Sequence, residues 1–337
     1  MRRIIISRTD SIGDVILTLP LATFLKKFYN GDCYIIFLGR LYTKEIINLS
    51  NDIDEFADYA EIDKMNMSDA VAKFNSFNAD TIIHVFPVIK IAKLAKFAQI
   101  KERIGTSNRI YHWLYCNKLS FFSRKKSNLH EAQLNFKLLC PLKIATNFSL
   151  NKIRSLYNLD FEALHNEELL KLKDNNKFNL IIHPKSKGSA REWGIQNYKK
   201  LIELLPPENF KIFITGTEEE GKLCEELFAF EHVSNLTGQL SLKELISFIN
   251  IADGIVACST GPLHIGAIFN KIAIGIYPPI KPMHPQRWAP LGNNVKVFVK
   301  EKDCNKCKNK NEKCLCIEEI KPEAICEYLK TIIIRDK

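Results

Sequence analysis

Short runs of β-branched and other apolar residues recur along the chain, separated by longer amphipathic stretches, and few folds accommodate that rhythm. Ile4–Ser7, Cys33–Leu38, Thr81–Val85, Leu180–His183, Lys211–Thr215, Gly254–Ala257 and Ile272–Tyr277 read as buried strands. Helical patterns lie between many of them, as at Asp14–Tyr29, Ile195–Leu205 and Ser241–Ile249. Near-continuous apolar strands need cover on both faces, and helices that alternate with them supply it, so parallel sheets in an α/β architecture are expected. With 337 residues, of which 46% are hydrophobic, the chain is long for one core and sufficient for two. The polar run Leu170-Lys171-Leu172-Lys173-Asp174-Asn175-Asn176-Lys177 marks the boundary. A first domain over 1–165, a second over 178–320 and a C-terminal helix within 321–337 (pattern Pro322–Ile334) are expected.

No apolar run approaches the roughly 18 residues that a membrane-spanning helix needs. The N-terminal apolar run ends at Arg8-Thr9-Asp10, too early for a secretory signal, so a cytoplasmic location is expected. The formal charge is +10, and it is concentrated. Between Lys90 and Lys126 lie ten basic residues, opposed only by Glu102, for a local net charge of +9. Such a field attracts an anionic partner: a phosphate, an acidic sugar, an anionic membrane or nucleic acid.

Three loops carry candidate chemistry. Arg8-Thr9-Asp10-Ser11-Ile12-Gly13-Asp14 joins the first strand to a helix, and ligands of open α/β sheets sit beyond such strand ends. Gly13 lets a ligand approach the backbone, and Asp14 stands at the helix start, where it is equally read as an N-cap. The absence of G-x-G-x-x-G and of a Walker A lysine gives no support for NAD binding or ordinary ATP hydrolysis. In the second half, Lys185, Lys187 and Arg191 sit among small residues in the loop after Leu180–His183, which suits a diphosphate as well as a solvated basic loop. Glu218 and Glu219 follow another strand end, where a carboxylate can bind ribose hydroxyls or simply favour a helix N-terminus. Ser259-Thr260-Gly261-Pro262-Leu263-His264 joins a strand to a helix, and its free backbone N–H groups can hold an anion.

In this order the pieces resemble glycosyltransferase family 9, the heptosyltransferase family. The resemblance rests on Asp10-Ser11-Ile12-Gly13-Asp14-Val15, Arg103-Ile104-Gly105, His130-Glu131, Ala190-Arg191-Glu192-Trp193, Thr215-Gly216-Thr217-Glu218, Leu236-Thr237-Gly238 and Ser259-Thr260-Gly261-Pro262-Leu263-His264, and spans nearly the whole chain. It implies a GT-B fold: two Rossmann-like domains with parallel sheets facing a central cleft. It further implies sugar transfer with inversion from a nucleotide-diphosphate donor, most specifically ADP-heptose, without a metal or other required cofactor; another nucleotide sugar or another surface-glycan acceptor is the alternative within the family. Asp14 would be the base on the acceptor hydroxyl and Arg191 the main cation on the leaving diphosphate, with Lys185 and Lys187 assisting. Glu218 or Glu219 would hold the ribose, and Ser259, Thr260, Gly261, Pro262 and His264 would form the rest of the donor site. The first domain would bind an acidic lipopolysaccharide core acceptor through Ser11, Gly13, Lys101, Arg103 and Lys125. The implied protein is a monomer in peripheral contact with the cytoplasmic face of the inner membrane. Two departures stand out. Ser259 occupies a position where many relatives carry an acidic residue, so any role of that carboxylate is not carried over. Arg191 replaces a common lysine, which keeps the charge and changes its geometry.

Of ten cysteines, Cys33, Cys116, Cys140, Cys224, Cys258 and Cys326 are scattered and read as small buried hydrophobes. Cys304, Cys307, Cys314 and Cys316 form C-x2-C-x6-C-x-C, a pattern open to structural zinc, to reduced thiols or to disulfides. Two rivals to the enzyme reading remain open on sequence. One is a basic nucleic-acid-binding protein that uses Tyr111, Trp113, Tyr115, Phe121 and Phe122 for stacking, although no recognised nucleic-acid motif is present. The other is a zinc-stabilised interaction protein without activity.

Overall fold

A computed structural model describes residues 1–301 and 314–335. The chain divides into two compact units, Met1–Ala163 and Leu164–Lys337.

The first unit is built on β1 (Arg2–Ser7), β2 (Cys33–Gly39), β3 (Glu55–Asp58), β4 (Thr81–His84), β5 (Glu102–Thr106) and β6 (Lys118–Ser120). Their order in the sheet is β3-β2-β1-β4-β5-β6, with every pairing parallel. In the second unit, β7 (Phe178–His183), β8 (Phe210–Ile214), β9 (Val233–Asn235), β10 (Gly254–Cys258), β11 (Ile272–Tyr277) and β12 (Val295–Val299) form a parallel sheet in the order β12-β11-β10-β7-β8-β9. Each is therefore a doubly wound sheet that grows outward from its first strand in one direction and then in the other. The inner strands are buried on both faces: Ile4, Ile5, Ile6, Leu180, Ile181 and Ile182 are at most 1% exposed.

The seven strands expected from apolar runs are present, within a residue or two of their expected ends. The remaining five are the four edge strands β3, β6, β9 and β12 together with β5. Edge strands are half-solvated, so they carry charged residues such as Glu55, Lys118 and Lys296 and lack a continuous apolar signature.

The pattern Asp14–Tyr29 forms two helices, Ile12–Ile16 and Leu19–Phe28, rather than one. Pro20 has no N–H to bond the carbonyl of Ile16, so a continuous helix would leave that group unpaired. Two neighbours satisfy the carbonyls at the break. The Tyr157 hydroxyl donates to Ile16 O at 3.2 Å, and Asn135 Nδ2 donates to Leu17 O at 3.0 Å.

In the second unit, the helix Ile195–Leu204 packs against the C-terminal helix Pro322–Arg335, and Tyr198, Leu201 and Ile202 share one core with Ile325, Cys326 and Leu329. On another helix, Gly261–Ile268, Gly266 lies against β10: a Cβ there would stand 2.5 Å from Ile255 Cγ2. Five of the six scattered cysteines are buried as expected, whereas Cys140 is exposed, because it opens a surface turn, Cys140–Leu142. Gly266→Ala should cost about 1–3 kcal/mol through overpacking, less the roughly 1 kcal/mol that alanine gains in a helix. Thermal unfolding should register the loss, and combining it with Ile255→Ala, which removes the opposing Cγ2, should cost less than the sum of the two single changes.

Candidate functional site

In the first unit the direction of sheet growth reverses between β1 and β4, and the loop leaving β1 lies at the carboxyl edge of that point. This is where open α/β sheets leave a crevice for ligands. Ser11, with extended backbone, is the N-cap of the helix Ile12–Ile16, so Asp14 is its third residue and not its cap. Gly13 is buried and Asp14 half-buried in that first turn.

The Asp14 carboxylate is held by Arg8. The Arg8 side chain is 3% exposed, and each arm of its guanidinium is used. Nε donates to Asp10 Oδ1 at 2.6 Å, one terminal nitrogen donates to Asp14 Oδ1, and the other lies 3.3 Å from Glu131 Oε1 and 3.5 Å from Asn135 Oδ1. Glu131 and Asn135 are four residues apart on the helix Glu131–Lys137 and so share one face. A second guanidinium, Arg124, pairs with Glu131 and donates to Asn135 Oδ1 at 3.1 Å and to Val85 O at 3.2 Å. Arg40 Nε donates to Thr9 O at 2.9 Å and Tyr42 Oη to Asp10 O at 2.6 Å, which fixes the loop from its other side. Three carboxylates thus meet two guanidiniums. Burial pushes the Asp10 carboxyl up to about 7, with the Asp14 charge adding to the rise and Arg8 opposing it. For Arg8, burial works against the charge, but the carboxylates of Asp14, Asp10 and Glu131 outweigh it and raise its pKa above the usual arginine value.

The expected acceptor contacts do not all meet here. Ser11 and Gly13 flank Asp14, and Lys125 is exposed beside Arg124. Lys101 and Arg103 lie elsewhere. Lys101 precedes β5 at the amino edge of the sheet, 82% exposed and 3.7 Å from Asp80. Arg103 spends its guanidinium on the carbonyls of Tyr115 and Ile100. Arg8, Asp10, Arg124 and Asn135 were not singled out from the sequence. The i, i+4 spacing of Glu131 and Asn135 was the available signal, but nothing in sequence pairs that helix with the first loop.

In the second unit the reversal falls between β7 and β10, and three loops gather at the carboxyl edge of β7, β8 and β10. In the β7 loop, Lys185 pairs with Glu192, whose other oxygen accepts from Ser186 N and Ser186 Oγ, both at 3.1 Å. Lys187 and Gly188 take positive φ, +48° and +77°, and both are exposed at the loop tip. Arg191 is half-buried, and among the described residues its side chain has no ion pair or hydrogen bond. Trp193 anchors the loop: it is fully buried, and its Nε1 donates to Ile320 O at 2.8 Å.

After β8, Thr217 and Glu220 close a capping box on the helix Glu218–Lys222. Glu218 is exposed and pairs with Lys222 at 3.3 Å, whereas Glu219 is exposed and its carboxyl is lowered by hydrogen bonds from its own backbone and from Thr217. His183 ends β7, with Nδ1 2.9 Å from Thr215 Oγ1, and burial lowers its pKa to about 4, so the ring is neutral.

After β10, Ser259 is half-buried, and Thr260 is the N-cap of the helix Gly261–Ile268, with Pro262 in its first turn. Among the described residues the buried Thr260 Oγ1 has no partner and makes no capping bond, and it stands beside the backbone N–H groups that open that helix. His264 is buried one turn in. The sulfurs of Cys314 and Cys316 are 3.1 Å apart and buried, too far for a disulfide; Cys304 and Cys307 lie outside the described residues.

The chain is similar in sequence and fold to known proteins. A Haemophilus influenzae protein described as a glycosyltransferase is 28% identical over 311 residues, covering 87% of each chain. The lipooligosaccharide heptosyltransferase 2 of Campylobacter jejuni is 23% identical over 288 residues, 77% of this chain and 88% of the other. Among solved structures, the Escherichia coli ADP-heptose lipopolysaccharide heptosyltransferase II superposes with a TM-score of 0.76 at 15% identity, covering 100% of this chain and 99% of that one, and so shares the fold. The model of glycosyltransferase family 9 (heptosyltransferase) matches residues 72–318, most of the chain, and the chain belongs to that family.

Proposed function

We propose that this glycosyltransferase moves heptose from ADP-heptose onto an acidic lipopolysaccharide core acceptor, with inversion and without a metal. The observation that carries the reading is the Asp14 carboxylate, fixed on a buried guanidinium at the switch point of the first sheet. The names of the relatives in Campylobacter jejuni and Escherichia coli support the choice of sugar and nucleotide.

In this reading the first unit binds the acceptor, with Ser11, Gly13 and Lys125 beside the base, and the second binds the donor. Asp14 takes the proton of the acceptor hydroxyl as its oxygen bonds to the anomeric carbon. The bond from that carbon to the diphosphate oxygen breaks, and ADP leaves with the electron pair. A carboxylate is a weak base towards a ground-state alcohol and becomes adequate as the hydroxyl acidifies in the transition state. Charge on the departing diphosphate is met by Arg191, by Lys187 and Lys185, and by the N–H groups at Thr260 and Gly261. Arg191 is suited to this because no internal partner competes for it among the described residues. Glu218 or Glu219 holds the ribose. The protein acts as a monomer in the cytoplasm, at the inner membrane that carries the acceptor.

ADP-heptose should raise the melting temperature by mass action, and stabilisation by UDP- or GDP-sugars alone would assign a different donor. Asp14→Ala should retain that stabilisation and lose about 10²–10⁴ in turnover, and a near-normal rate would remove Asp14 as the base. Arg191→Ala should lose about 10²–10³ in turnover.

Asp10 provides a pH test of the carboxylate cluster. Its folded-state pKa, raised to about 7, exceeds its unfolded value near 4, so between these the folded protein holds a proton that the unfolded chain has released. Stability on this account is greatest at low pH and falls as pH rises towards 7. Asp10→Asn should therefore gain stability relative to the parent by about 3 kcal/mol between about pH 4.5 and pH 8 in denaturant titrations. A difference independent of pH would mean that Asp10 is ionised throughout.

A further inference from the structure

The first unit exposes an apolar face that its own fold leaves uncovered. On the short helix Ile110–Tyr115, Ile110, Trp113 and Leu114 occupy positions i, i+3 and i+4, and they are 87%, 58% and 61% exposed. Phe121, 76% exposed, extends the same surface, its ring 6.0 Å from that of Trp113 in an edge contact. Soluble monomers scatter single exposed hydrophobics, but four large ones gathered on one helix face and the next loop mark a binding surface.

The charge around this face identifies its occupant. The surface lies within the segment of net charge +9. The one acidic residue there, Glu102, is already paired with Arg2 and Lys118. Arg109 and Lys96 are exposed on either side of the helix, with Lys96 Nζ bonded to Leu114 O at 2.9 Å. Lys93, on the helix Ile89–Phe97 packed alongside, has its Nζ 5.6 Å from the centre of the half-exposed Phe97 ring. Lys125 and Lys126 follow Phe121. Apolar side chains ringed by cations match a bilayer whose headgroups are anionic and whose interior accepts the rings. Tryptophan, amphipathic and rigid, suits that boundary. A nucleic acid would use the cations and aromatic rings but has no use for Ile110 and Leu114.

We propose that Ile110, Trp113, Leu114 and Phe121, with Arg109, Lys93 and Lys96, form a docking surface for an anionic lipid bilayer. The helix Ile110–Tyr115 follows the carboxyl end of β5, the same edge of the sheet from which the Asp14 loop departs. The docked protein would thus bring its acceptor edge towards a lipid-borne substrate. This purpose rests on the acceptor reading above, whereas the docking rests on the surface alone.

The test is co-sedimentation of the full chain with vesicles of phosphatidylcholine containing phosphatidylglycerol, against phosphatidylcholine alone. Binding should be at least about tenfold stronger with the anionic lipid and should weaken with salt. The emission of Trp113 should shift to shorter wavelength only with the anionic vesicles. A variant carrying Ile110→Ser, Trp113→Ser and Phe121→Ser, and a second with Lys93→Gln and Arg109→Gln, should each lose about tenfold in vesicle binding. Both should keep the melting temperature and the turnover of a short water-soluble acceptor, which reports on the transferase reading separately. The proposal is overturned if the parent chain ignores anionic vesicles or if both variants bind them as the parent does. It is also overturned if the apolar variant abolishes a concentration-dependent dimer or oligonucleotide binding in a parent that does not bind vesicles.

Discussion

A guanidinium buried beneath a strand end is costly unless every arm of it is satisfied, and that demand shapes the loop after β1 in the first unit. Arg8 follows β1 directly, so its side chain enters the unit where water cannot reach it. The loop beyond must turn so that Asp10 meets Nε and Asp14 meets a terminal nitrogen, while Glu131 and Asn135 close the other side from a helix more than a hundred residues away. Removing Asp14 or Glu131 leaves part of a buried charge uncompensated, which is why loop course and charge pairing are one problem here. The surplus carboxylate is accommodated by Asp10, whose ionisation burial defers to near neutrality. Asp14 inherits a fixed direction from this arrangement, the property a proton acceptor needs before any substrate arrives.

The second unit uses charge in the opposite way. Its loops leave capacity open: Arg191 has no internal partner among the described residues, Thr260 Oγ1 is buried without one, and a helix begins beside it with unspent N–H groups. Such groups are stable together only where an anion or water completes them. One unit is therefore organised around satisfied carboxylates and the other around unsatisfied donors, a contrast that the proposed function would use to activate a hydroxyl in one and hold a diphosphate in the other.

Much of this was legible in the sequence, and the losses have physical causes. The inner strands announce themselves because burial on both faces forces continuous apolar runs, as at Ile4–Ile6 and Leu180–Ile182. Edge strands such as Val295–Val299 carry no such constraint and went unread. The break at Leu17 was missed because a helical period persists across it, although Pro20 was the warning. Asp14 could be named because it sits in a local motif, whereas Arg8 could not: its role depends on Glu131 and Asn135, and only tertiary folding brings them near. Lys101 and Arg103 illustrate the reverse error. A count of charges along the chain cannot tell a residue at the carboxyl edge of a sheet from one at the amino edge, and Arg103 also turned its charge inward onto main-chain carbonyls.

Residues 318–320 bear on the loop after β7 in a way their distance in sequence conceals. Trp193 hangs from the carbonyl of Ile320, and Asn197 Nδ2 donates at 2.8 Å both to Trp193 O and to Glu318 O. Arg191 is thus moored, two residues from the indole, to a segment more than a hundred residues further along the chain. Shortening the protein ahead of Glu318 would cut those moorings while leaving every residue of the β7 loop in the chain. A chain cut after β12 would lack these contacts, so the final helix and its approach are part of what holds the loop after β7 in place.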